Sequence, residues 1–84
     1  MTTLSFDGLG PFAPDLVPSE RGARAERLTR ACLVSREAQP ARVALGRCAE
    51  PEKLAEALHL LNSMPSLPRR HVLARYATLS RGRP

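Results

Sequence analysis

Proline sets the longest uninterrupted helix that this chain can build. Pro18, Pro40, Pro51, Pro65 and Pro68 cut the sequence into pieces of helix length. A proline lacks the N–H that continues a helical ladder and disfavours a helical residue before it, yet it is well suited to the first helical turn. Each of these prolines can therefore end one helix and open the next. Thirteen Leu and twelve Ala stand against four Val and no Ile, so the β-branched residues that strands favour are scarce. The fold class is all-α, with three to four short helices over about 20–38, 40–48, 51–64 and 68–80, as the breakers and the apolar period place them.

The first 18 residues form a separate region ahead of a small helical domain over residues 19–84. Pro11, Pro14, Gly8 and Gly10 allow no helical period there. The arm still carries Leu4, Phe6, Leu9, Phe12, Leu16 and Val17, more apolar residues than a disordered tail holds. It docks on the chain's own helices through Phe6 and Phe12, serves as a linear segment for a partner, or is disordered without a role.

Ser19 is placed to cap the first helix, with Glu20 at the positive end of its dipole. Ala25, Leu28, Ala31, Cys32 and Val34 supply its buried side, and Glu20 with Arg24 and Glu26 with Arg30 are i, i+4 pairs on its exposed side. In the third helix Leu54, Ala57, Leu58, Leu61 and Met64 recur at i, i+3, i+4, i+7 and i+10, the spacing of one apolar face. Val72, Leu73, Tyr76 and Leu79 mark a second stripe beyond the turn at Pro65–Pro68. So short a connection predicts that these two helices pack antiparallel. Ala57, Leu58, Leu61, Val72 and Tyr76 are the expected packing or partner-contact positions.

The core available to such a chain is thin. Phe6, Phe12 and Tyr76 are its three aromatics and it has no Trp, and a domain of this length buries only about 60% of its unfolded surface. Self-association or a protein partner would complete it.

The formal net charge is +5. Arg69, Arg70, Arg75, Arg81 and Arg83 fall between Pro68 and Pro84, where no acidic residue occurs, with Tyr76 among them. Guanidinium groups can grip phosphates while a ring stacks on a base, so this cluster is a candidate contact for nucleic acid or for an acidic protein. A solvated helix end has the same composition, and twelve Arg against one Lys is also the mark of a GC-rich coding sequence.

Signatures of chemistry are missing. Cys32, Cys48, His59 and His71 are separated by fifteen, ten and eleven residues, where zinc ligands on one element come in close pairs. The cysteines read as reduced, buried thiols, although a chain reversal near Gln39 would bring them close enough for a disulfide. No nucleophile elbow, carboxylate pair or glycine-rich phosphate loop occurs. The expectation is no enzyme, no cofactor and no metal. No apolar run spans a membrane and no signal segment opens the chain, which points to the cytoplasm. A helix-turn-helix with its turn near Ala31–Ser35 would put Pro40 inside the recognition helix and fails for that reason.

Leu45-Gly46-Arg47-Cys48-Ala49-Glu50 followed by Lys53-Leu54-Ala55-Glu56-Ala57-Leu58-His59-Leu60-Leu61 resembles the middle of a tetratricopeptide-type or pentatricopeptide-type repeat. Ala57 and Pro68 stand where such repeats carry a small residue and a closing proline. The resemblance covers residues 40–79, lacks the large aromatics of the tetratricopeptide pattern, and amounts to one repeat. It implies a helical hairpin with a groove for a partner. The expected function is that of a protein-binding adaptor, chaperone-like subunit or regulator that oligomerises. The alternative is a basic nucleic-acid-binding regulator that uses Arg69, Arg70, Arg75 and Arg81.

Overall fold

The computed structural model describes residues 5–81, so Leu4, Gly82 and Arg83 lie outside the described residues. Four α-helices follow one another: α1 (Pro18–Ala31), α2 (Gln39–Leu45), α3 (Pro51–Asn62) and α4 (Ser66–Arg81). Single 3-10 turns occur at Gly10–Phe12, Cys32–Val34 and Arg36–Ala38, and no strand occurs among the described residues. The all-α class therefore holds, and prolines open three of the helices within their first two positions.

Several boundaries differ from expectation; α2 ends at Leu45 rather than near residue 48, and α3 at Asn62 rather than near residue 64. α1 begins at Pro18 with Val17 as the flanking residue, and Ser19 makes no capping hydrogen bond. Pro18 needs no partner for a missing N–H and so takes the first position itself. The same helix ends at Ala31 rather than near residue 38. Ser35 is extended (φ −138°, ψ 133°), its hydroxyl donates to Glu37 Oε1 at 2.8 Å, and Gln39 Nε2 donates to the carbonyls of Cys32 and Ser35. Pro40 would collide with the carbonyl four residues back in a continuing helix, and this corner turns the chain before that happens. α4 starts at Ser66, two residues before Pro68, which sits inside the first turn where it has no bond to break.

The packing order also departs from the expected pairing of the last two helices. α3 lies chiefly against α2, and α4 lies chiefly against α1. Glu20, Ala23 and Arg24 early in α1 face Tyr76 and Ser80 late in α4, and the turn after α1 also touches α4, so these two helices run antiparallel. After α3 the carbonyl of Met64 accepts from Arg69 Nε and Nη2 at 3.2 and 2.7 Å, which locks the turn that sends α4 away from α3.

The N-terminal arm joins what the helices leave apart. Phe6 is 1% exposed and lies in the core. Its N–H donates to Asn62 Oδ1 at 2.9 Å, and Asn62 Nδ2 donates to Asp7 Oδ1 at 2.8 Å. Further along, Gly10 reaches Tyr76 of α4 and the 3-10 turn packs on α1. The arm thus bridges α3, α4 and α1. Around Phe6 the core is made of Leu28, Leu45, Leu61, Met64, Val72 and six buried alanines.

Phe6→Ala should cost about 3–5 kcal/mol of unfolding free energy, because a large cavity would open in a small core. Asn62→Ala should cost about 1–3 kcal/mol. Urea denaturation will read both, and the double variant should fall short of their sum because each substitution undoes the same docking. Alanine at two glycines should have opposite effects in the same assay. Gly22 is exposed, with nothing within 4 Å of a Cβ, so Gly22→Ala should stabilise by about 0.5–1 kcal/mol. Gly10 has φ +51°, and its Cβ would lie 3.0 Å from the Tyr76 hydroxyl oxygen, so Gly10→Ala should destabilise by more than about 1 kcal/mol.

Candidate partner-binding surface

The apolar positions expected to pack or to meet a partner divide by depth. Ala57, Leu61 and Val72 are fully covered within the chain, and Leu58 and Tyr76 are half-buried against the same core. While the fold is intact the first three offer nothing to a second molecule. The cover that the thin core needs comes from Phe6.

The arginines divide as well. Arg69 is half-buried and engaged with the Met64 carbonyl, so it holds the turn between α3 and α4. Arg70, Arg75 and Arg81 are exposed, and no hydrogen bond or ion pair engages them among the described residues. On a helix of 100° per residue Leu67, Arg70, Ala74, Thr78 and Arg81 follow one line, with His71 and Arg75 on its flank. That line is the outward face of α4, since Val72, Leu73, Tyr76 and Leu79 point to the core. Leu67 is 59% exposed at its start.

This face carries three of the five cations that make the molecule's charge asymmetry. All eight acidic residues precede Ala57, and eight of the thirteen cations do too, so residues 1–56 are neutral and the whole surplus lies beyond. Of the eight cations before Ala57, four meet carboxylates: Arg24–Glu20 at 3.3 Å, Arg30–Glu26 at 3.6 Å, Arg47–Glu50 at 2.7 Å and Lys53–Glu56 at 3.3 Å. Such exposed pairs add little stability, but they neutralise their surroundings. The outward face of α4 has no such neutralisation.

Tyr76 does not join it. Its ring is half-buried under Gly10, which leaves the arginine face without the stacking platform expected of it. The possible metal ligands stay dispersed, with Cys32 buried in the core and both histidines exposed on different helices. Among the described residues no three His, Cys, Asp or Glu side chains come together. No described helix is long and apolar enough to cross a membrane.

Asn62, which fixes the arm, and Leu67, which lends the basic face an apolar end, carried no signal in the sequence. The side chain of Asn62 looks like a helix terminus, and its partners lie more than fifty residues away. The stretch that resembles a tetratricopeptide-type repeat forms α2, α3 and α4, with α2 packed on α3. No protein-family model matches the chain, and comparison with curated proteins and with solved structures returns no match.

Both cysteines are free thiols, Cys32 fully buried and Cys48 partly exposed. Burial pushes the Cys32 thiol up from 9.0 to about 11, against a smaller opposing pull from Arg42. A raised folded-state value favours the protonated form, so this stabilisation is complete below pH 9 and is lost as pH rises through 11. Thermal midpoints should therefore decline across that interval, with a smaller decline in Cys32→Ala. Maleimide at neutral pH should label Cys48 in the folded protein well before Cys32.

Proposed function

We propose that the protein is a small non-enzymatic binding module, an adaptor or regulator, whose contact surface is the outward face of α4 and whose partner is a protein with an acidic surface. The observation that carries this reading is the set of exposed, unpaired guanidinium groups of Arg70, Arg75 and Arg81 beside the exposed Leu67. Arginine and a solvent-facing leucine suit an interface in which carboxylates meet the forks and an apolar contact sits between them. The small side chains of Ala74, Ala77 and Thr78 lie between Arg70 and Arg81 and let a partner approach the helix closely.

A second reading, nucleic-acid binding, is favoured by the confinement of the whole net charge to residues 57–84. With Tyr76 held under Gly10, such binding would rest on phosphate contacts alone.

The test pairs the wild-type chain with Arg70→Glu/Arg81→Glu. Under the protein reading, affinity capture from the native host recovers an acidic protein with wild type, and charge reversal weakens that binding by about tenfold or more. Under the nucleic-acid reading, a generic duplex binds at 50 mM salt. With three phosphates neutralised, affinity drops roughly 40-fold by 200 mM. Equal recovery of every protein by both chains, with no nucleic-acid binding at low salt, removes the outward face of α4 as a functional surface.

A further inference from the structure

On the other side of α4, where its last turns meet the first half of α1, the seam opens into a cavity of about 380 Å³. Its walls include Gly10, Glu20, Arg24, Arg27, Tyr76 and Ser80. A volume of this order lies within the range of small-molecule sites, roughly 300–1,000 Å³. We infer that this cavity binds a small oxyanion, the phosphate or carboxylate headgroup of an organic molecule.

Three of the lining residues carry donors that the fold leaves unused. Arg27 is half-buried, yet it makes no ion pair or hydrogen bond among the described residues. None of its nitrogens is buried, so the guanidinium still meets solvent and is free to engage an anion that enters the cavity. Neighbouring Arg24 differs, since Glu20 holds it at 3.3 Å. The Tyr76 hydroxyl also has no hydrogen bond among the described residues. Ser80 Oγ is buried with no partner, and the residue lines the same cavity.

Guanidinium and hydroxyl groups can all donate, and an oxyanion is an acceptor throughout, so the two sets match in a way that a cationic ligand could not. Arg24, Arg27 and Glu20 together leave one positive charge, which a single anionic headgroup neutralises. Leu9 and Ala23 on the same wall give an attached organic group an apolar surface. Gly10 keeps the entrance to the hydroxyl open, because a Cβ there would stand 3.0 Å from its oxygen.

Arg27 could be singled out in the sequence once its neighbours are read. Three and four residues to either side stand Arg24, Ala23, Arg30 and Ala31, so no carboxylate on its own helix can reach it.

The test is an NMR titration of the full chain with sodium phosphate and, separately, sodium acetate, with ionic strength held constant by sodium chloride. Saturable shifts centred on Gly8–Gly10, Arg27, Tyr76 and Ser80 are expected with at least one of the two, and the tighter binder identifies the headgroup. Arg27→Gln should weaken binding at least tenfold and Tyr76→Phe about threefold, while Arg70→Gln on the outward face changes it less than twofold. Because Arg27→Gln removes an unpaired charge, it should leave the unfolding midpoint unchanged or raised, which separates lost binding from lost fold. The inference is overturned if neither anion gives saturable shifts. It is equally overturned if Arg27→Gln and Arg70→Gln weaken binding alike, since the anions would then report general charge.

Discussion

The side-chain amide of Asn62 does for the N-terminal arm what backbone ladders do for the helices. Its oxygen accepts from the Phe6 N–H and its nitrogen donates to the Asp7 carboxylate, so one residue at the end of α3 fixes both the position and the direction of a segment with no regular structure. That fixation matters because the helices cannot close the core themselves. Ala25, Ala31, Ala38, Ala41, Ala44 and Ala57 are buried, and small side chains let helices approach closely but fill little space between them. The largest fully buried side chain is Phe6. The arm is therefore a structural part of the helical domain, and the boundary at residue 18 marks a change of local structure.

α4 illustrates how one helix divides its faces between unrelated tasks. Its inner stripe of Val72, Leu73 and Tyr76 is spent on packing, and Arg69 is spent on the turn before it. Its outer line keeps Arg70, Arg75 and Arg81 in water with no carboxylate beside them. Nothing in the packing requires those charges. Their concentration on one face is the reason to seek the contact surface there.

Much of this architecture was legible because proline acts locally. Pro40 and Pro51 mark the starts of α2 and α3 by rules that need only the neighbouring residues, and the 3.6-residue period of Ala57, Leu58 and Leu61 identifies a buried face without any knowledge of what buries it. The errors arose where distant partners decide. An apolar stripe does not name the helix it meets, and so α3 was expected beside α4 when it packs on α2. The early end of α1 depends on Gln39 reaching back to two carbonyls, and Ser35 gives no stronger hint of a break than serine does elsewhere. The candidate surface was only partly legible for the same reason. A run of arginines can be counted, but which of them the turn consumes cannot be known before the turn is built.

The clasp between Phe6 and Asn62 also has a consequence in time. Fifty-six residues separate its two halves, so during synthesis Phe6 is made long before Asn62 and has no partner to dock on. At about 5–20 residues per second, roughly 3–11 seconds pass before the chain has made the residue that will hold it. For that interval Phe6 and its apolar neighbours stay exposed to solvent and to whatever else binds nascent chains. The segment that completes the finished core is thus made well before the residue that holds it, and it docks only after α3 exists.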